Sequence, residues 1–272
     1  MGKDAQRSPD GVREQPAGLH HLLASEEPAT AMAIVEGLGL REPTPPQPRP
    51  RVLLNMVSTV DGRATLDGRS APLSSIADRH LFRALRMSAD CVMVGAGTVR
   101  TERYGRLIRE PSARRARRER GLSEEPLACI VSGRLSLDAE VPLLADPDAN
   151  VVIATSSAAS VAGARAHVDY VRPSTDGVLD LGASLAELRA RFAVELLLCE
   201  GGPHLASQLF AAGLVDELFI TISPTLAGGE ASGGEALRIL AGPELQPPLP
   251  LELLGVLESA SDLFLRYRIR TS

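Results

Sequence analysis

The sequence predicts an α/β fold built on a mostly parallel sheet, and three observations carry that expectation. Short apolar runs recur: RVLLNMVSTV from Arg51, DCVMVG over 90–95, LACIVS over 127–132, NVVIAT over 150–155 and VELLLC over 194–199. They lack the polar alternation of half-exposed strands, as strands covered on both faces do. Helical patterns separate several of them, which is the rhythm of βαβ units. Small residues, glycine above all, follow some of these runs directly, as in tight strand-to-helix turns.

Taken in order, residues 1–48 begin polar and end in REPTPPQPRP, an extended proline-rich lead-in. A weak helical pattern runs from Leu19 to Leu40. We expect a partly ordered tail that packs on a domain filling 49–272. The first strand closes at Asp61-Gly62, a turn signal. Residues 77–88 place Leu81, Phe82, Leu85 and Met87 on a helical period. The charge run SARRARRERGLSEE, 112–125, is basic and then acidic with no aromatic residue, and reads as a solvated helix or loop. Helical stretches at 184–192 and 203–212 flank the strand at 194–199. LELLGVLESA and DLFLRYRIR, joined by a short polar turn, read as an antiparallel hairpin on a sheet edge. No internal repeat is visible.

The 272 residues suit one large domain or two small ones. Aromatic residues are 3% and tryptophan is absent, so the core must come from Leu, Val, Ile and Ala. The net charge of −5 argues against a dedicated nucleic-acid binder. No apolar run approaches the roughly 20 residues of a membrane span, and the N-terminus lacks the apolar core of a secretory signal. Cys91, Cys129 and Cys199 are odd in number and far apart, which excludes a disulfide framework and a CxxC metal site and points to a reducing compartment, the cytoplasm. His20, His21, His80, His167 and His204 form no ligand spacing, so no metal is expected.

Four segments can carry chemistry. GAGTVR, Gly95–Arg100, follows a strand and offers free backbone N–H groups to a phosphate, or is only a tight turn. CEGGPHL, Cys199–Leu205, does the same with Pro203 suited to a first helical position. Two such turns on one sheet are best explained by a bridging phosphorylated ligand at the strand ends. Ser132-Gly133-Arg134 places a hydroxyl and a guanidinium at a third strand end, suited to a phosphomonoester or to a solvated turn. Asp61, in Ser58-Thr59-Val60-Asp61-Gly62, either faces the same cleft or serves the turn.

Residues 50–105 (PRVLLNMVSTVDGRAT through DCVMVGAGTVRTERYG) and 195–229 (ELLLCEGGPHLASQLFAAGLVDELFITISPTLAGG) resemble the RibD C-terminal family. These are the reductases of riboflavin biosynthesis, related in fold to dihydrofolate reductase. The resemblance extends over about residues 50–270 and is nearest to the stand-alone actinobacterial pyrimidine-reductase-like proteins. It implies a dihydrofolate-reductase-like mixed, mostly parallel sheet of about eight strands flanked by helices, with NADPH as hydride donor and a homodimer as the usual assembly. The reaction it implies is reduction of a ribosylaminopyrimidine 5′-phosphate, with hydride going to C1 of the ribose. The deaminase elements H-x-E and P-C-x-x-C are absent from the sequence.

Carried over on matching positions, Gly95, Thr98 and Val99 contact NADP, and Gly201, Gly202, Pro203 and Leu205 form the pyrophosphate site. Glu200 contacts substrate or cofactor. Ser132 and Arg134 meet the adenosine 2′-phosphate, Val57 lies on the strand lining the nicotinamide, and Ser70 and Arg86 hold the substrate phosphate. Where the family commonly reads T-V-x-A-D-D-P, this chain reads Thr98-Val99-Arg100-Thr101-Glu102-Arg103-Tyr104, and the first-strand lysine is Asn55. The departures surround the substrate rather than the cofactor. Asp61 and Glu102 are the candidate catalytic carboxylates, with Asp61 favoured as proton donor. A small heterocyclic substrate follows, a pyrimidine or, alternatively, a pterin. A rival reading is a non-catalytic NADP-binding module.

Overall fold

Strand β1 (Arg51–Thr59) is buried along most of its length because a parallel neighbour covers each edge and helices cover each face. The computed structural model describes residues 28–42, 48–228 and 237–270. After β1 come a 3₁₀ turn (Ala71–Leu73), α2 (Ile76–Ser88), β2 (Cys91–Gly95), α3 (Ala96–Thr101), α4 (Pro111–Glu119), β3 (Leu127–Val131), α5 (Pro142–Ala145), β4 (Asn150–Ala154) and β5 (His167–Val171). A small hairpin of β6 (Ser174–Thr175) and β7 (Val178–Leu179) leads to α6 (Leu181–Phe192), β8 (Leu196–Cys199), α7 (Pro203–Ala211), β9 (Glu217–Ser223), β10 (Leu251–Ser259) and β11 (Asp262–Ile269). α1 (Ala31–Gly37) precedes them all and packs on α2.

The main sheet has nine strands in the order β10-β11-β9-β1-β8-β2-β3-β4-β5. All neighbours from β9 to β5 run parallel, and β10 and β11 are the antiparallel edge pair that the C-terminal sequence predicts. The strand count exceeds the expected eight by one. His167–Val171 has no continuous apolar run to announce it, and as an edge strand it needs none.

The two faces of the sheet bury separate clusters. Leu53, Val92, Ile130 and Leu198 pack beneath α1 and α2, while Leu54, Met93, Cys129 and Leu197 pack beneath α6 and α7. Within α2, Asp78, Leu81, Ala84 and Leu85 recur at helical spacing on the buried side. The Ser75 hydroxyl caps its start by accepting from Asp78 N. Pro203 opens α7 at its first turn, where a missing N–H costs nothing.

The reading of 112–125 as a solvated stretch is corrected at Arg117. This side chain in α4 is 0% exposed. Its Nη1 donates to the carbonyls of Arg86, Met87 and Ala89, each at 2.9 Å, and its Nε donates to Ser123 O at 2.9 Å. The end of α2 leaves carbonyls without helical partners, and a guanidinium is the side chain with enough donors to serve several at once. Burial lowers the Arg117 pKa to about 10. In the N-terminal tail, residues 1–27 and 43–47 lie outside the described residues, and with them His20, His21 and the first half of the expected 19–40 helix.

Candidate functional site

Insertion of β8 between β1 and β2 brings three strand ends together, and the two glycine turns meet there. Gly95 N donates to Gly201 O at 2.7 Å, and Glu200 N to Met93 O at 2.9 Å. Gly201 has φ +78° and the Gly201–Gly202 peptide is cis. The packing requires small residues. A Cβ on Gly201 would come 2.9 Å from Met56 Sδ, and one on Gly202 would come 2.5 Å from Thr98 Oγ1. The first turn of α7 opens directly from this cradle.

The cradle opens into a cavity of about 920 Å³. Val57, Ser70, Arg86, Gly95, Thr98, Glu102, Glu200, Gly202, Pro203 and Leu205, all expected from sequence, line it. Val99, Gly201, Asp61, Ser132 and Arg134 do not. Val99 is fully buried and anchors α3 to the core. Ser132 follows Val131, which pairs with Gly95, so it lies one strand beyond the cradle. Its hydroxyl accepts from Ser136 N at 3.0 Å, while Arg134 is exposed.

Glu200, expected to contact substrate or cofactor, and Arg86, expected to hold the substrate phosphate, bind each other. Arg86 Nε donates to Glu200 Oε1 at 2.6 Å and Nη2 to Oε2 at 2.8 Å. Tyr104 Oη adds a third bond to Oε2 at 2.7 Å. The guanidinium stacks 4.3 Å from the Phe82 ring centroid. The Glu200 side chain is 2% exposed and that of Arg86 14%. Burial by itself lowers the Arg86 pKa, but the Glu200 charge outweighs it and the pKa stands above its ordinary value. Burial, reinforced by the Glu200 charge, pushes the Tyr104 hydroxyl well above the usual tyrosine range.

The two candidate carboxylates separate. Asp61 is exposed, and its oxygens accept from the Thr59 hydroxyl, Gly228 N at 2.6 Å and Ala227 N at 3.2 Å. The Thr59 bond first, then the two N–H groups, lower its pKa to about 2. A carboxyl so held serves its loop and is a poor proton donor near neutral pH. Glu102 lines the cavity, with Oε1 accepting from Ser70 N at 2.9 Å and Ser70 Oγ at 3.1 Å.

The family model for the RibD C-terminal domain matches residues 50–264. The chain belongs to the RibD C-terminal domain family. Its relatives include the 2,5-diamino-6-ribosylamino-4(3H)-pyrimidinone 5′-phosphate reductases of Archaeoglobus fulgidus, 29% identical over 68% of this chain and 84% of that one, and of Methanothermobacter thermautotrophicus, 28% identical over 82% and 99%. A crystal structure of a pyrimidine reductase-like protein from Corynebacterium diphtheriae shares the fold, with TM-score 0.71 at 24% identity over 90% of this chain and all of that one.

Within this RibD C-terminal domain, sequence reasoning passed over Asp78. It sits one turn into α2, where an acid reads as a helix-start residue, yet it is buried and lines the cavity. Tyr104 is visible in the sequence only as a departure from the family pattern. Four exposed arginines, Arg79, Arg83, Arg103 and Arg109, also line the cavity. Among the described residues no group of three or more His, Cys, Asp or Glu is arranged to hold a metal, and no helix is long and apolar enough to cross a membrane.

Proposed function

We propose that the protein is an NADPH-dependent reductase acting on a ribosylaminopyrimidine 5′-phosphate. The observation that carries this reading is the double glycine cradle at Gly95 and Gly201-Gly202, opening into one cavity edged by arginines. The cradle is read as a pyrophosphate site from its place at the strand ends and at the start of α7; the collisions of a Cβ with Met56 and Thr98 explain why the paired residues are glycines. Thr98 and the first N–H groups of α7 would hold the phosphates. Leu205 and Pro203 wall the same side, and Ser132 and Arg134 at the end of β3 suit a 2′-phosphate. When bound, the reduced nicotinamide supplies the hydride.

This chain's own residues bind and orient the substrate. Val57 lies at the C-terminal end of β1 as the surface beneath the reacting groups. The exposed arginines, with Ser70, hold the 5′-phosphate. Arg86, already paired, holds Glu200 at the cavity wall instead. Glu102 is the carboxylate at the cavity for orienting the ribose and handling the proton, and Asp61 keeps the loop after β1 closed on residues 227–228.

The reductase unit on this reading is 49–272, with 1–48 as a lead-in. Leu251, Leu253 and Leu257, 39–46% exposed on the edge strand β10, support a homodimer formed through that edge. Three buried free thiols suit the cytoplasm.

The test follows loss of the reduced-nicotinamide absorbance with purified protein and the ribosylaminopyrimidine phosphates. Turnover with NADPH exceeding that with NADH is expected. Arg134→Ala should cost NADPH about 1.5–3 kcal/mol, roughly tenfold to over a hundredfold in affinity, and leave NADH unchanged. No turnover of any such pyrimidine overturns the function, and equal loss for both cofactors overturns the role of Arg134.

A further inference from the structure

Tyr104 lines the cavity, and the function proposed above leaves it without a role. It stands where the family commonly reads proline, so a hydroxyl at this position is this chain's own. The chain reaches it by reversing at the end of α3. Arg103 takes φ +48°, and Tyr104 N donates back to Val99 O at 3.0 Å. Leu143 N donates to Tyr104 O at 2.9 Å and fixes the backbone from the other side. The ring packs against the core cluster on the α2 face, and Oη donates to Glu200 Oε2 at 2.7 Å. Burial and the Glu200 charge keep the hydroxyl protonated across the working pH range, so it acts as a donor throughout.

That bond spans the two limbs of the cradle. One limb is β2 running through Gly95 into α3. The other is β8 running through Glu200, Gly201 and Gly202 into α7. At their base the limbs are joined by backbone bonds, Gly95 N to Gly201 O and Glu200 N to Met93 O. Above the base, the Tyr104–Glu200 bond is the one side-chain hydrogen bond among the described residues that joins 96–104 to 199–205. Arg86 braces both ends of it. The guanidinium grips Glu200, and Nη1 donates to Leu107 O at 3.2 Å, a short way past Tyr104. A ligand that touches both turns at once binds best when their spacing is set before it arrives, because ordering left to the binding step is subtracted from affinity.

We propose that Tyr104 is a positioning residue for the cofactor: by tying the end of α3 to Glu200, it holds the Gly95 and Gly201-Gly202 turns at the spacing a dinucleotide pyrophosphate spans. The inference rests on the function proposed above and deepens it. Tyr104 acts through Glu200, not by touching the cofactor. Its loss therefore falls on cofactor affinity and spares pyrimidine binding and the hydride step.

The experiment uses the full chain and Tyr104→Phe, which removes the hydroxyl and keeps the ring. Each is titrated with NADPH by calorimetry, and kcat and KM for the ribosylaminopyrimidine phosphate are measured at saturating NADPH. Circular dichroism checks that the variant is folded at the assay temperature. The NADPH Kd of the variant is expected to rise about threefold to tenfold, as when one hydrogen bond to a charged group sets the binding-competent arrangement. The pyrimidine KM and kcat should stay within about twofold of wild type. A merely structural role would lower the melting temperature and leave the Kd of the folded variant unchanged, so a smaller rise than about threefold overturns the proposal. A change in pyrimidine KM or kcat as large as the change in Kd also overturns it. Wild-type protein that binds no NADPH overturns the proposed function itself. Wild-type binding without turnover of the pyrimidine overturns only the proposed substrate, and the Kd comparison still decides the role of Tyr104.

Discussion

Replacing Glu200 with glutamine tests whether the Arg86–Glu200–Tyr104 cluster is a desolvated unit. The change keeps the shape and one acceptor oxygen. If the amide oxygen takes the Oε1 position it keeps the bond from Arg86 Nε, but its NH₂ then faces the donor Arg86 Nη2, and the Tyr104 hydroxyl, which donates to the carboxylate, must turn to accept from it. Two charge-assisted bonds are lost, each worth about 1.5–3 kcal/mol, and a guanidinium is left without its counter-charge. The side chains are 2% and 14% exposed, so solvent returns little of this. The expected loss is about 3–5 kcal/mol, the range for breaking a buried pair from one side. At about 2–4 °C per kcal/mol for a domain of this size, the melting temperature should fall by roughly 6–20 °C. Urea titration gives the free energy, and the cycle with Arg86→Met isolates the coupling. A loss below about 1 kcal/mol, the range of a solvated surface pair, would refute the claim that this pair is buried and mutually dependent.

Three further expectations follow from the same geometry. Gly202→Val should push Thr98 aside and fill the cradle, weakening NADPH at least about thirtyfold, while circular dichroism still reports a folded chain; normal affinity in a folded variant removes the pyrophosphate assignment. Asp61 has a folded pKa of about 2, below its unfolded value, so the stability it gives is complete above about pH 4 and is lost as the pH falls toward 2. Asp61→Asn should flatten acid unfolding in that window and leave turnover nearly intact, whereas Glu102→Gln should cost turnover tenfold or more; the reverse pattern exchanges their roles. By light scattering the wild type should be a dimer and Leu253→Glu a monomer; a monomeric wild type removes the proposed homodimer, and a dimeric variant shows that β10 is not its interface.

The sequence by itself determined what local chemistry can determine. Predominantly apolar runs at 51–59, 91–95, 127–131, 150–154 and 196–199 become parallel strands, because a strand buried on both faces has few polar positions to spare. The glycines at 201 and 202 are legible because close approach leaves no room for a side chain there. Tertiary structure decided the rest. Periodicity says which face of an element is buried but not what buries it, and sheet order is set by non-local pairing. Only the insertion of β8 beside β1 brings Arg86 against Glu200, 114 residues away, and only the position of β9 gives Asp78 its partner Thr221, 143 residues away. Arg117 reads as one more surface charge in a basic run, and it is buried because the end of α2 offers it carbonyls that no helix hydrogen bond satisfies. Asp61, after β1, and Glu102, at the end of α3, look equivalent as candidate carboxylates; neighbouring N–H groups and a hydroxyl commit the first to its loop, and the cavity wall receives the second.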